Sequence, residues 1–189
     1  MTWKILDRNV VHQGWGRYLL LDIAMADGTV VQRQLDDHGV AASVLPYDPE
    51  RRTALLVRLP RVGPLFLGQE PVMTEAAAGM IDPGESGPDC ARREAMEELG
   101  VRLMALEPVA CAWSAPGVST ETVDLYLAPY SLGDRIAEGG GVADEHEDIE
   151  IVETSLAELW RQAKAAEIPD MKTLLLVYAL HDRRPELFV

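Results

Sequence analysis

Glu85, Glu94, Glu97 and Glu98 fall within the single stretch Gly79–Val101, and three of them can share one surface. Glu94, Glu97 and Glu98 stand at i, i+3 and i+4, so on a helix their carboxylates lie on one face within one turn. Like charges at that spacing cost a helix roughly 0.2–0.5 kcal/mol per pair. Arg93 offsets only part of that cost. Donors that are all oxygen, at this density, suit Mg²⁺ or Mn²⁺ rather than zinc. Without further marks, the same run of charge reads as a solvated helix face.

The element that must present these groups has its own signals. Ser86 is an N-cap with Asp89 three residues on, a capping-box-like start. The pattern predicts helix over Asp89–Leu99, and Gly100 ends it where a left-handed residue is wanted. Ala91, Ala95 and Leu99 at i, i+4 and i+8 form a narrow apolar stripe beside the acidic face, able to seat the helix on a core.

The whole stretch resembles the Nudix box, G-x5-E-x7-R-E-U-x-E-E-x-G-U with U aliphatic. Gly79, Glu85, Arg93, Glu94, Glu97, Glu98 and Gly100 occupy the fixed positions and Val101 the last U; Ala95, at the first U, is smaller than usual. The resemblance implies an α/β fold, the Nudix α/β/α sandwich around a mixed sheet, and a hydrolase acting on a pyrophosphate. It further implies two to three Mg²⁺ ions, or Mn²⁺, held by Glu94, Glu97, Glu98, Glu147 and the carbonyl of Ala78. Glu98 would count among the catalytic groups. Glu85 would pair with Arg93 and orient the helix.

Composition bounds the rest. With 189 residues, 48% hydrophobic and 25% charged, the chain has the make-up of one ordinary globular domain, with or without a small appendage. Its net charge of −14 argues against binding nucleic acid or a membrane surface, since both require a basic patch. The apolar runs, such as Thr173–Leu180, are too short to span a bilayer, and the first ten residues lack the apolar core of a signal peptide. Cys90 and Cys111 are too few and too far apart for a disulfide framework or a metal site, and read as free thiols of a cytoplasmic protein.

Residues 1–37 read as a small antiparallel β-meander, with Asp27-Gly28 as a hairpin turn. It is too small to bury a core by itself. Residues 38–189 read as the hydrolase domain. Val40–Leu45 and Thr53–Leu59 are expected strands, with Pro46–Arg51 a turn between them. Val72–Ala78 leads into the acidic stretch. Val101–Trp113 is strand-like with a break near Glu107-Pro108, and Thr122–Tyr130 is another strand. Gly139–Glu150 reads as a mobile acidic loop. Ser155–Ala166 and Met171–His181 are expected helices, each with an N-cap, Ser155 and Asp170.

Relatives of this branch act on nucleoside diphosphate sugars, and the resemblance carries further residues with it. The meander would pack on a partner subunit in a homodimer. Trp15, between two glycines, would stack on the base, or else be an ordinary half-buried sheet tryptophan. Arg33 and Arg61, the latter preferred over Arg58, would hold phosphates, or else be surface charges. Pro116 fixes a turn, and Glu121 would contact the sugar. In the acidic loop Glu145 would be the general base beside the metal ligand Glu147, with Glu150 in reserve and His146 ranked lower. The loop resembles ADP-ribose pyrophosphatases. The glycine triplet before it and the Lys172–Leu176 segment resemble GDP-mannose pyrophosphatases. ADP-ribose, cleaved to AMP and ribose 5-phosphate, is placed narrowly first. GDP-mannose, cleaved to GMP and mannose 1-phosphate, is the alternative, and a non-catalytic nucleotide-sugar sensor ranks below both.

Overall fold

The computed structural model describes residues 2–141 and 148–189, which form two compact units. The first comprises Met1–Ala41 with Cys111–Val123; the second comprises Ala42–Ala110 with Asp124–Val189.

In the first unit, β1 (Lys4–Gln13), β2 (Arg17–Ala24) and β3 (Val30–Asp37) make an antiparallel sheet in the order β1-β2-β3. The β2–β3 hairpin turns at Asp27-Gly28, with Gly28 at φ 85° and Asp27 Oδ1 accepting from the Thr29 N–H at 2.9 Å. That positive φ is the reason glycine stands there. Every residue of β1 is exposed, and of the three strands only Leu19 and Leu21, on β2, are buried. Two buried leucines cannot hold a sheet against the entropy of ordering it. Residues 111–123 complete the unit: the Asp36 N–H donates to the Val118 carbonyl, the Thr120 N–H to the Asp36 carbonyl, and the Thr120 hydroxyl to Asp37.

The second unit is built on a sheet with β4 (Ala41–Asp48) and β5 (Thr53–Pro60) at its centre. β8 (Glu107–Trp113), β9 (Thr122–Pro129) and β10 (Glu150–Ser155) extend it in the order β10-β5-β4-β9-β8, with β6 (Val72–Glu75) paired to β5 and β7 (Ala77–Met80) to β4. β4 is buried along its whole length, as expected of a central strand covered on both faces. The helices are α1 (Val62–Phe66), α2 (Gly87–Leu99), α3 (Leu156–Lys164) and α4 (Met171–Arg183). Cys90, Ala91, Ala95, Leu99 and Val101 join Val44, Leu55, Val57 and Tyr126 in one buried cluster. Small residues on this face of α2 let its backbone come close to the sheet. Ala95, the soft position of the motif, is fully buried there.

Two expectations are corrected, and one helix was not anticipated. β4 does not stop at Leu45 but runs through Pro46 to Asp48. A proline keeps its carbonyl, and the strand is held by the neighbours: Leu45 and Tyr47 are buried, and the Tyr47 carbonyl accepts from the Tyr130 N–H. The turn begins only at Asp48, whose Oδ1 caps the Glu50 and Arg51 N–H groups. Residues 101–113 are not one broken strand: Val101 makes a single bridge to Arg135, and β8 starts at Glu107. Finally, the sequence pattern did not reveal α1. Its Val62, Leu65 and Phe66 are exposed, so no buried stripe marks it.

Candidate active site

α2 begins as its caps direct. Ser86 Oγ accepts from the Asp89 N–H and donates to the Asp89 carboxylate, and Gly100 closes the helix at φ 69°. The acidic face is less exposed than a solvated charge run would be. Glu94 and Glu98 retain only 8% and 3% of their surface. Carboxylates so buried require partners. The Ala78 N–H donates to Glu98 Oε2 at 3.1 Å. Glu94 lies over Gly79, where an added Cβ would sit 1.8 Å from Glu94 Oε1. The glycine of the motif is therefore a space requirement of the Glu94 carboxylate.

Arg93 organises the remainder. Its Nε and Nη2 each donate to the Glu85 carboxylate at 3.0 Å, a bidentate pair. Nη1 donates to Glu94 at 2.6 Å and to Glu97 at 3.1 Å, and Nη2 also reaches the Met80 carbonyl at 2.9 Å. The Arg93 hydrogen bonds, with help from the Asp82 N–H and against the opposing effect of burial, hold the Glu85 carboxyl below the ordinary glutamate range. Cys90, beneath this network, is pushed up to about 12 by burial and then by the Glu94 charge. It stays a neutral thiol at neutral pH and is not a nucleophile.

Among the described residues no three His, Cys, Asp or Glu side chains converge on one point as metal ligands. Glu145 and Glu147, the expected base and fourth side-chain ligand, lie outside the described residues, as does His146. The groups that are present fit a hard divalent cation by their chemistry. They are carboxylate oxygens within about one turn of α2, with Glu94 and Glu98 buried against the strand that carries Ala78 and Gly79 and Arg93 the neighbouring cation.

The glycine triplet is part of this site's framework rather than the start of a solvated loop. Gly139, Gly140 and Gly141 all have positive φ, and the last two donate to the carbonyls of Glu98 and Glu97 at 2.8 and 3.0 Å. They satisfy the end of α2 at the two residues whose side chains form the acidic face. A Cβ on Gly139 would lie 2.7 Å from the Glu98 carbonyl oxygen. Gly139→Ala should therefore cost about 2–3 kcal/mol in urea denaturation. A loss below about 0.5 kcal/mol would show that the segment yields without strain.

The other expected residues are placed as follows. Arg61 makes a bidentate pair with Glu75, both bonds 2.9 Å, at the end of β5. Arg58 meets Glu150 across β5 and β10 at 3.4 Å. Within the first unit, Trp15 is 79% exposed at the β1–β2 turn and stacks on His38 with ring centroids 5.0 Å apart, so it is not a half-buried sheet residue. Arg33 is exposed on β3 and donates to the Gln32 carbonyl. Pro116 occupies an exposed turn closed by Val118 and Ser119 N–H groups on the Ala115 carbonyl. Glu121 lies 3.6 Å from His38 Nε2 and borders a cavity of about 350 Å³ together with Asp36, Ser119 and Tyr18.

Sequence reasoning missed Glu75. A lone carboxylate in the run Val72-Met73-Thr74-Glu75-Ala76-Ala77 was the available signal, because an ionised group in a strand this apolar must find a cation.

A family model, the NUDIX domain, matches residues 37–175, well over half of the chain. The chain belongs to the Nudix family. Among curated relatives of similar length, it is 37% identical over 171 residues to the GDP-mannose pyrophosphatase of Cronobacter sakazakii, covering 88% of this chain and 87% of that one. It is 35% identical over 160 residues to the GDP-mannose pyrophosphatase of Escherichia coli strain K12, covering 82% of each. A solved structure described as an ADP compounds hydrolase superposes with a TM-score of 0.79 over 100% of this chain and 98% of that chain, at 20% identity. At that identity the likeness establishes the fold: α/β, a mixed sheet with helices and an N-terminal three-stranded antiparallel sheet. Nudix hydrolases in general depend on a divalent metal. No helix among the described residues is long and apolar enough to cross a membrane.

Proposed function

We propose that this Nudix protein hydrolyses the pyrophosphate bond of a nucleoside diphosphate sugar, with GDP-mannose its first substrate and GMP and mannose 1-phosphate its products. What carries the reading is the intact acidic face of α2 in a chain that aligns over more than four-fifths of its length with GDP-mannose pyrophosphatases. ADP-ribose is a second reading, supported by the sequence Ala143–Ile149, which resembles the corresponding loop of ADP-ribose pyrophosphatases.

Glu94, Glu97 and Glu98, with the Ala78 carbonyl and Glu147, would hold Mg²⁺ or Mn²⁺, in two to three sites. When bound, the ions neutralise phosphate oxygens and acidify the attacking water. Glu145 would take the proton from the attacking water as the water oxygen bonds to one phosphorus and the bridging P–O bond breaks, the bridging oxygen leaving with the other phosphate. Glu85 and Arg93 act by keeping the α2 carboxylates in place, a role supported by their bidentate pair. Arg33 and Arg61 are assigned to phosphate oxygens and Glu121 to the sugar, with Pro116 shaping the adjoining turn. The exposed Trp15 ring is assigned to the base, and stacking of this kind tolerates any base. We also assign a cytoplasmic homodimer. The low cysteine content, two in 189 residues, supports the compartment, and the almost coreless β1–β3 sheet supports the partner. Light scattering that finds a monomer at micromolar concentration would remove the dimer.

The test is a panel of GDP-mannose, ADP-ribose, GTP and ATP with Mg²⁺ and identification of the products. GDP-mannose should be cleaved with kcat/KM at least roughly tenfold above ADP-ribose, and the triphosphates should be spared. Preference for a triphosphate would overturn the substrate class. Tight binding of GDP-mannose without turnover would make the protein a sensor.

A further inference from the structure

Among the described residues Glu75 is the most buried carboxylate paired to cations outside α2, and no part of the proposed chemistry so far uses it. It retains 3% of its surface at the end of β6, yet it receives two cations from distant parts of the second unit. Arg61, just past β5, grips it with two parallel hydrogen bonds of 2.9 Å. Lys172, in the first turn of α4, donates to Oε2 of the same carboxylate and to Asp170 at 3.0 Å. Burial opposes ionisation of Glu75, but the Arg61 hydrogen bond and the Lys172 charge outweigh it, and the carboxyl is held below the ordinary range.

The surroundings connect this cluster to the acidic face. Asp170 caps α4 and accepts from the Thr173 N–H and hydroxyl. The Thr173 oxygen in turn accepts from the Ala76 N–H at 2.7 Å. Ala76 follows Glu75 directly, and two residues further on the Ala78 N–H binds Glu98. The N-terminus of α4 is thus fastened to the strand junction that presents Ala78. The hydrogen bonds to Glu75 raise the pKa of Arg61 against the opposing effect of burial. Arg61 keeps 41% of its side-chain surface although its carboxylate partner is buried. A fork clamped from behind by a buried carboxylate through Nε and Nη2, and open on its outer side, is positioned to meet an anion.

We propose that Glu75 is a positioning residue that holds Arg61 in place to grip the pyrophosphate of the substrate, with Lys172 and α4 as its second anchor. This rests on the hydrolase reading above. In functional terms, the Lys172-Thr173 pair acts through Glu75 and Ala76 rather than by touching substrate.

The test is a double-mutant cycle of Glu75→Gln and Arg61→Ala, reading kcat and KM for GDP-mannose and the inhibition constant of inorganic pyrophosphate. Glu75→Gln alone should raise KM and the pyrophosphate inhibition constant together, roughly tenfold, with kcat lowered less than about threefold. Arg61→Ala should raise both constants by a similar factor or more. In the Arg61→Ala background, Glu75→Gln should change neither by more than about twofold. Equal effects of Glu75→Gln in both backgrounds would overturn the proposal, as would an unchanged pyrophosphate constant. Glu75→Asp, which keeps the charge, should recover part of the pyrophosphate affinity at unchanged melting temperature. If Glu75→Gln does not fold, Lys172→Met serves in the same cycle with the same criterion. Absence of turnover in the wild type would instead remove the hydrolase reading, a failure visible in the unmutated protein.

Discussion

Glu98→Gln should lower kcat by roughly three orders of magnitude, about 4 kcal/mol in the activation barrier, and leave the protein folded. The two halves of this expectation come from different atoms of one side chain. Glu98 Oε2 accepts the Ala78 N–H in an almost closed environment, and a glutamine can still accept there through its carbonyl oxygen. Weakening a charge-assisted hydrogen bond to a neutral one costs about 1 kcal/mol, which moves the melting temperature by about 2–4 °C in a chain of this size. The lost negative charge has no such substitute, because a neutral amide is a poor ligand for a hard divalent cation. The measurement is single-turnover hydrolysis of GDP-mannose at saturating Mg²⁺ beside a thermal melt. Near-normal turnover would take Glu98 out of the catalytic set. Loss of turnover with a collapsed melt would make its role structural.

Arg93→Met should damage both stability and activity. The methionine keeps the unbranched stem that crosses the helix surface and removes only the guanidinium. Two bonds to Glu85, one each to Glu94 and Glu97, and one to the Met80 carbonyl disappear together. Breaking a buried ion pair from one side costs about 3–5 kcal/mol, and because this guanidinium is partly solvated the expected loss is about 2–4 kcal/mol. Activity should fall at least roughly a hundredfold, as is usual when the groups that orient ligands are removed. A pH dependence separates this account from a general loss of packing. Since Arg93 depresses the pKa of Glu85 in the folded state, its contribution is fully present above the unfolded glutamate value. It is lost as pH falls through the lower, folded value. Urea denaturation between pH 7 and pH 3 should therefore show wild type and variant converging on the acid side. Parallel curves throughout would mean that the Arg93–Glu85 pair contributes nothing to stability.

Both expectations depend on residues that the spacing along the chain identifies by itself. Local chemistry determined α2: its cap at Ser86, its stop at Gly100, its apolar stripe and the order of its glutamates are all spacings along one helix, and a helix has a fixed period. The hairpin at Asp27-Gly28 and the caps of α3 and α4 were readable for the same reason. Each involves residues within about four positions of one another. Pairings over long separations were not legible. Arg61, Glu75 and Lys172 are drawn from three segments, and only the packing of α4 beside β6 makes a phosphate candidate, a strand carboxylate and a helical lysine into one cluster. The path of β4 through Pro46 was hidden likewise, because the local preference of proline is outweighed by burial of its neighbours and by a hydrogen bond from Tyr130, more than eighty positions away in sequence. The depth of the acidic face is the same kind of property. The sequence determined that Glu94 and Glu98 lie side by side; the strand carrying Ala78 and Gly79 decided that they are buried, because burial belongs to what is packed against a helix and not to the helix itself.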